Sequence, residues 1–328
     1  MRTSGDGMLP KSGADAAHDW TGYVPFDQLP NVYDPPSGLL ATANGRITPD
    51  GYARVLANVW WAPYRTSRIF HLLEQGEKFK PADMLAIQTD ITSELERFFA
   101  DRFVYAIDHS KNASQRVRQA AEIMRGWDGR MEKNSSAASI AYWSRRNLMK
   151  VLLTPKMGDD FSNYDWGLSA PALESIITHT LPRWLPQGYS SYDEVLVAAV
   201  QKTVERAPRD LKSWHWGSQF PVEVQHPLFG SIPFLSHFSG TGSHLQSGSG
   251  STVKQVGIDF GPSERLTVDF SNLDQSTLNI VIGQSGHLFS PHYKDQFPAW
   301  YEGSTRPLPF SDAAVTASAE HRLTLQPQ

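Results

Sequence analysis

The chain has 328 residues, with Lys+Arg 30 against Asp+Glu 34 and a formal charge of −4 when histidine is neutral. A hydrophobic content of 40% supplies a large core and excludes bulk disorder. The slightly acidic balance offers no electrostatic footprint for nucleic acid or an anionic membrane, so neither is expected as a partner. The absence of cysteine excludes a disulfide framework, a thiolate metal site and a cysteine nucleophile within these residues.

At about 100–200 residues per domain, the length fits one large domain or two ordinary ones. No apolar run approaches the ~20 residues of a membrane span. The first twenty residues contain no apolar stretch of the signal-peptide kind. Residues 1–50 are rich in Gly, Pro, Asp and Asn; Pro25, Pro30, Pro35 and Pro36 forbid regular helix or central strand. With Trp20, Tyr23, Phe26 and Tyr33 interspersed, this zone reads as an ordered, extended wrap on a surface. A short strand is expected over Leu39–Ala43.

Residues 51–210 read as mostly helical. Met84, Ile87, Ile91, Leu95 and Phe98 recur at three- and four-residue spacing after Pro81, which suits a first helical turn. Val117, Ala120, Met124 and Trp127 repeat the stripe until Asp128-Gly129. Ile140, Trp143, Asn147 and Val151 continue it and are expected to end before Pro155. Residues 156–189 look irregular. Ser191-Tyr192-Asp193-Glu194 is a capping box opening a helix with Leu196, Val200 and Val204 on one face.

Residues 211–250 read as loop, with Gly/Ser-rich and mobile stretches at 239–243 and 247–251. Three alternating runs then predict an antiparallel meander: Val256, Ile258 and Phe260; Leu266, Val268 and Phe270; Leu278, Ile280 and Ile282. The third run is apolar on nearly both faces, as in a sheet covered on each side.

Chemistry-bearing motifs are sparse. The chain has no G-x-S-x-G elbow, H-E-x-x-H, Walker A or Rossmann glycine pattern. His215 with His226, and His287 with His292, are the near pairs, and neither has ligand spacing on an evident helix. Asn44 precedes Gly45 at a turn, where Asn-Gly is ordinarily only a turn signal. Arg65 lies in Trp60-Trp61-Ala62-Pro63-Tyr64-Arg65, an aromatic setting that could shield a guanidinium. The residues alone describe an α+β protein and stop short of a function.

Several segments, in order, resemble the penicillin acylase (penicillin amidase) family of N-terminal-nucleophile hydrolases. They are 19–30, Asp34-Pro35-Pro36-Ser37-Gly38, Ala41-Thr42-Ala43-Asn44-Gly45-Arg46-Ile47, Pro63–Ile69, Ile87-Gln88-Thr89-Asp90, Trp127-Asp128-Gly129, Gly283-Gln284-Ser285-Gly286 and 290–296, with Trp300 beyond. The resemblance implies a partial αββα layered sandwich with a large helical insertion. It divides the chain into a wrap and oxyanion segment over 1–70, a mainly helical region over 71–210, and C-terminal antiparallel strands over 211–328.

The family's precursor cleaves itself to expose an N-terminal serine, whose hydroxyl attacks the carbonyl of a small linear amide. The serine's own α-amine serves as base, and an acyl-enzyme forms and is hydrolysed. Asn44 matches the side-chain amide that donates to the oxyanion. Arg65, about twenty residues on, matches the arginine that holds the Asn and the amine; its charge favours the neutral, basic amine.

The family's usual second Asn is replaced by Gly45. No cofactor is required for the chemistry. Many members hold a structural calcium, whose ligands find no match here. The nucleophile also finds no match, so the resemblance leads us to expect a C-terminal portion of a β-chain, inactive alone, with an α-chain and the N-terminal part of the β-chain as partners. The parent enzyme is expected to be periplasmic or secreted. Two other readings stay open: an acyl-homoserine-lactone or other long-chain acyl amidase, and a non-catalytic binding protein on the same scaffold.

Overall fold

The computed structural model describes residues 1–76, 78–163, 169–258 and 260–327. The chain divides into two compact units, Met1–Glu74 and Gln75–Gln328, each taken by itself below.

In the first unit, proline and glycine keep most of the backbone irregular. The N-terminus folds back on residues 19–22: Arg2 and Trp20 form an antiparallel bridge, and the Arg2 guanidinium lies 4.1 Å from the Trp20 ring centroid. Single 3-10 turns sit at Ala16–His18 and Phe26–Gln28. The aromatic residues of the wrap stand in solvent; Tyr23 is 94% exposed and Phe26 89%.

The expected strand over Leu39–Ala43 does not form. A strand needs a ladder for its backbone groups, and the Ala43 N–H is taken instead by the Thr66 hydroxyl at 3.1 Å. The unit closes on helix α1, Tyr64–Glu74.

The second unit is helical first. Helices α2 (Pro81–Gln88) and α3 (Glu94–Asp108) replace the single apolar stripe read across 84–98. The break has a physical cause. The backbone of the link is committed elsewhere, with the Ile91 carbonyl accepting from Met131 N and the Asp90 carbonyl from Lys254 N, each at 2.9 Å. Ser93 then caps α3, its hydroxyl accepting from Glu96 N. Restarting the helix turns Phe99 rather than Phe98 fully into the core.

Helix α4 (Gln115–Met124) buries Val117, Ala120 and Met124, as the periodicity predicts. Helix α5 (Ser136–Met157) runs through Pro155 instead of stopping before it. A proline in the last turn removes one backbone donor where the ladder is already ending, and Gly158, at φ +56°, closes the helix.

Helix α6 (Ser169–His179) occupies part of the stretch read as irregular; Pro171 sits in its first turn, where the missing N–H costs nothing. Part of that stretch, residues 164–168, lies outside the described residues. Helix α7 (Tyr192–Arg206) begins at Ser191, whose hydroxyl accepts from Glu194 N, while the Glu194 carboxylate reaches back to Ser190 N.

Helices α3, α4, α5 and α7 pack together around Phe99, Phe103, Met124, Ile140, Leu148, Leu196 and Val200. Each such side chain withdrawn from water contributes about 1.5–3 kcal/mol. A buried ion pair crosses this core, with Arg145 Nη2 donating to Glu96 Oε1 at 2.6 Å.

The zone read as loop over 211–250 carries two short helices, α8 (Trp216–Gln219) and α9 (Pro233–Ser239). Its second Gly/Ser stretch is pinned rather than mobile. Gly248 N donates to the Met131 carbonyl at 2.8 Å, the Trp216 indole donates to the Gly248 carbonyl at 2.8 Å, and Ser249 and Thr252 are buried. A Cβ on Gly248 would meet the Lys254 carbonyl at 2.7 Å, so the close approach itself requires glycine.

The sheet has three strands in the order β1 (Glu264–Thr267), β2 (Thr277–Ile280) and β3 (Arg306–Pro307), all antiparallel. Two of the predicted runs contribute β1 and β2. The run at 256–260 is not a strand among its described residues, and Arg306–Pro307 takes the third place.

Of the two alternating faces, the polar one is covered. Arg265, Thr267 and Asn279 are buried, while Leu266 and Val268 are 41% and 42% exposed. The polar face is the covered one because partners for it arrive from two helices. Gln88 of α2 donates to the Leu266 carbonyl, and Trp300 of α10 (Phe297–Glu302) accepts from Arg265 through its carbonyl. A last helix, α11 (Asp312–Ser318), begins at the Ser311 cap.

Candidate active site

The first unit brings Asn44 and Arg65 together. Arg65 sits in the first turn of α1, and its Nη2 donates to Asn44 Oδ1 at 2.9 Å. Only 9% of Arg65 is exposed. Burial lowers its pKa from the ordinary guanidinium value, yet an arginine remains charged at any working pH.

The acceptor end of the Asn44 amide is therefore held by a cation. The donor end, Nδ2, has no hydrogen-bond partner among the described residues, and Asn44 itself is exposed. Asn44 adopts a left-handed backbone, φ +64°, a conformation that asparagine tolerates better than other residues with a side chain.

Gly45 is needed for a different reason from the one its sequence suggests. It is buried, and its φ is not in the left-handed region. A Cβ there would meet the Thr66 hydroxyl at 3.0 Å. That hydroxyl also accepts from Ala43 N. Thr66 thus locks the loop one residue before Asn44, while its neighbour Arg65 holds the Asn44 side chain. Sequence reasoning gave Thr66 no role; its position directly after Arg65 was the available signal. Beyond the loop, Arg46 closes the next turn by donating to Thr48 Oγ1 and Asp50 Oδ1.

The histidines of the two near pairs are used locally where the structure shows their bonds. His226 Nδ1 accepts from Leu228 N and Phe229 N, and His287 Nδ1 from Phe289 N. His292 faces Asp295 at 3.2 Å, and Asp295 also receives Arg306 at 3.0 Å. Among the described residues, no group of three or more His, Asp or Glu side chains could hold a metal ion. Among the described residues no helix is long and apolar enough to cross a membrane.

The fold can be placed among solved structures. It is similar to a thermostable penicillin G acylase from Alcaligenes faecalis, with a TM-score of 0.65, 17% identity, and coverage of 96% of this chain and 62% of that one. That likeness shows an α+β fold shared with that protein. The penicillin amidase family profile matches residues 1–317, and the chain belongs to that family.

Curated relatives agree. Over 96% of this chain it is 30% identical to the penicillin acylase 2 proenzyme of Pseudomonas sp. (strain SE83), covering 42% of that protein. Over 99% of the chain it is 28% identical to the acyl-homoserine lactone acylase QuiP of Pseudomonas aeruginosa, covering 44% of it. The chain therefore spans less than half the length of these relatives.

Proposed function

We propose that residues 1–328 contribute the oxyanion-stabilising side of an enzyme that hydrolyses linear amides by acyl transfer. The observation that carries this is the Arg65–Asn44 hydrogen bond, which fixes one end of an exposed side-chain amide and leaves its N–H2 end free. Such a donor has the chemistry needed at a carbonyl oxygen that becomes negative on attack.

The attacking hydroxyl belongs to an N-terminal serine in the part of the family's length that this chain does not span. Its α-amine takes the hydroxyl proton as the oxygen adds to the amide carbon. The same proton passes to the leaving amine as the C–N bond breaks, and an acyl ester remains on the serine. Water then adds to the ester, gives its proton to the amine, and the serine leaves with the proton returned to it. The products are a carboxylic acid and an amine. At both additions the carbonyl oxygen becomes an oxyanion, and Asn44 Nδ2 donates to it. Arg65 keeps the amide from rotating its carbonyl end towards that oxygen, where it would repel. The cation also disfavours protonation of an amine beside it.

In this reading the three-stranded sheet is one portion of an αββα sandwich. Its exposed Leu266 and Val268 face packs in the assembled enzyme against strands contributed by the additional polypeptide. The acyl group has two candidate classes, because one relative is named a penicillin acylase and another an acyl-homoserine lactone acylase. Comparing phenylacetyl and decanoyl amides on the assembled enzyme decides between them.

The assignment itself is tested with a chromogenic acyl anilide. The isolated 328-residue chain should show no turnover, and the enzyme assembled with the complementary polypeptide should. Turnover by the isolated chain that survives Asn44→Ala would refute the proposed division of labour.

A further inference from the structure

In the second unit, helices α5 and α7 line a cleft of about 390 Å³. Helix α5 supplies Lys150, Val151 and Pro155, and α7 supplies Lys202, Glu205 and Arg206, each set at the spacing of one helix face. Tyr189, from the segment leading into α7, adds its ring to the lining. The volume falls in the range of small-molecule sites, about 300–1,000 Å³.

The walls are fixed in place. Asn147 of α5 donates through its side-chain amide to Thr203 Oγ1 of α7 at 2.9 Å, and that hydroxyl donates to the Ala199 carbonyl at 2.9 Å. Asn147 and Thr203 are both buried. The end of α7 is held from its other side. Arg116 of α4 donates through Nε to the Val204 carbonyl at 3.0 Å and through Nη1 to the Arg209 carbonyl at 2.8 Å. A ligand entering a cleft braced in this way pays little to order it.

The lining has two chemical characters. Lys150, Lys202 and Arg206 are exposed, and their charged groups have no hydrogen-bond or ion-pair partner among the described residues. Glu205, the one carboxylate on the described lining, accepts from Gln201 Nε2 at 3.0 Å. The cleft therefore holds a surplus of positive charge in a chain whose formal charge is −4. Like charges gathered in a concave site attract a counter-ion. The apolar character comes from Val151, which is 6% exposed, from the Pro155 ring and from the half-buried Tyr189. The lysine stems extend that surface. A bare inorganic anion would leave the apolar wall unused, and a neutral apolar molecule would leave the cations unmet.

We propose that this cleft binds an amphipathic carboxylate, an acid group carried on an apolar chain or ring. Lys150, Lys202 and Arg206 meet the carboxylate, and Val151, Pro155 and Tyr189 meet the apolar body. The site uses no residue of the Asn44 loop and stands independently of the chemistry assigned there.

The test is calorimetric titration of the 328-residue chain at neutral pH and low salt with octanoate, acetate and 1-octanol as separate probes. The expected result is saturable octanoate binding that weakens as salt is added, with acetate and 1-octanol each at least tenfold weaker. Lys202→Met should weaken octanoate binding about tenfold, while Lys212→Met, at an exposed position in another segment, should leave it unchanged.

Absence of octanoate saturation, or binding unaffected by Lys202→Met, would overturn the proposal. Equal affinity for 1-octanol would reduce the cleft to a plain apolar surface, and equal affinity for acetate to an adventitious anion contact; either result also overturns it. A second readout does not depend on a variant folding. Trace labelling of amines by an acylating reagent should modify Lys150 and Lys202 more slowly when octanoate is present, relative to Lys212. Unchanged relative rates would equally overturn it.

Discussion

The Arg65 guanidinium donates to the Asn44 side-chain carbonyl across 2.9 Å, from the first turn of α1 to a loop residue held at φ +64°. A hydrogen bond from a charged donor contributes about 1.5–3 kcal/mol. Arg65→Met removes it and frees the Asn44 amide to rotate. In the assembled enzyme we expect kcat to fall about 10–100-fold with KM nearly constant, since the orientation matters when the oxyanion forms. Steady-state kinetics with an acyl anilide measure this; a change confined to KM would assign Arg65 to substrate binding instead.

The Thr66 contact makes a separate prediction about the loop. Gly45→Ala places a methyl 3.0 Å from the Thr66 hydroxyl and so loosens its bond to Ala43 N. Stability should fall by about 1–2 kcal/mol, read as a lower denaturant midpoint of the isolated chain. A companion Thr66→Ala change removes the obstruction together with the bond. The double variant should therefore be no less stable than Thr66→Ala alone.

Legibility varied with the kind of signal. Helices α4 and α7 were readable because their apolar spacing and serine caps are local, as at Ser191 and Glu194. The break between α2 and α3 was not, because it is set by backbone bonds to Met131 and Lys254, residues about 40 and 164 positions further along. The covered face of the sheet was not readable for a similar reason. Alternation identifies two faces, but which one is covered depends on Gln88 and Trp300 arriving from elsewhere. Asn44 and Arg65 were recognisable only through the ordered resemblance, since an Asn-Gly turn and an arginine among aromatics have ordinary explanations. The role of Thr66 was not read, although it directly follows Arg65, because its bond to Ala43 N and its closeness to Gly45 arise only on folding.

Lys254 also makes stability depend on pH. Its pKa is lowered to about 8 in the fold from 10.5. Below pH 8 the ammonium is charged in both states, and its burial destabilises the fold in full. As pH rises from about 8 towards 10.5, the folded state has already lost the proton that the unfolded state still binds, so the penalty fades. Lys254→Met should therefore stabilise the chain at pH 7 by on the order of 2 kcal/mol. That advantage should shrink towards zero by the upper end of the window, as thermal melts across pH would record. An advantage independent of pH would mean that packing, not charge, is responsible.

The apolar surface predicts behaviour in isolation. Tyr23, Phe26, Tyr33, Phe270 and Phe289 are each at least 87% exposed, and β1 presents Leu266 on an uncovered face. Such surface promotes self-association, and unpaired strand edges add to it. The isolated chain should bind a hydrophobic dye and show concentration-dependent light scattering, both reduced on addition of the complementary polypeptide. A monodisperse, dye-silent chain would contradict this.

The most direct measurement of the central claim is the acylation rate of the assembled enzyme carrying Asn44→Ala, followed by rapid mixing with an acyl anilide. If the Asn44 amide stabilises the oxyanion, the rate should fall by about 10²–10³ with substrate affinity little changed. A rate within about twofold of the unaltered enzyme would contradict that role, since a single such donor normally carries several kcal/mol of transition-state stabilisation.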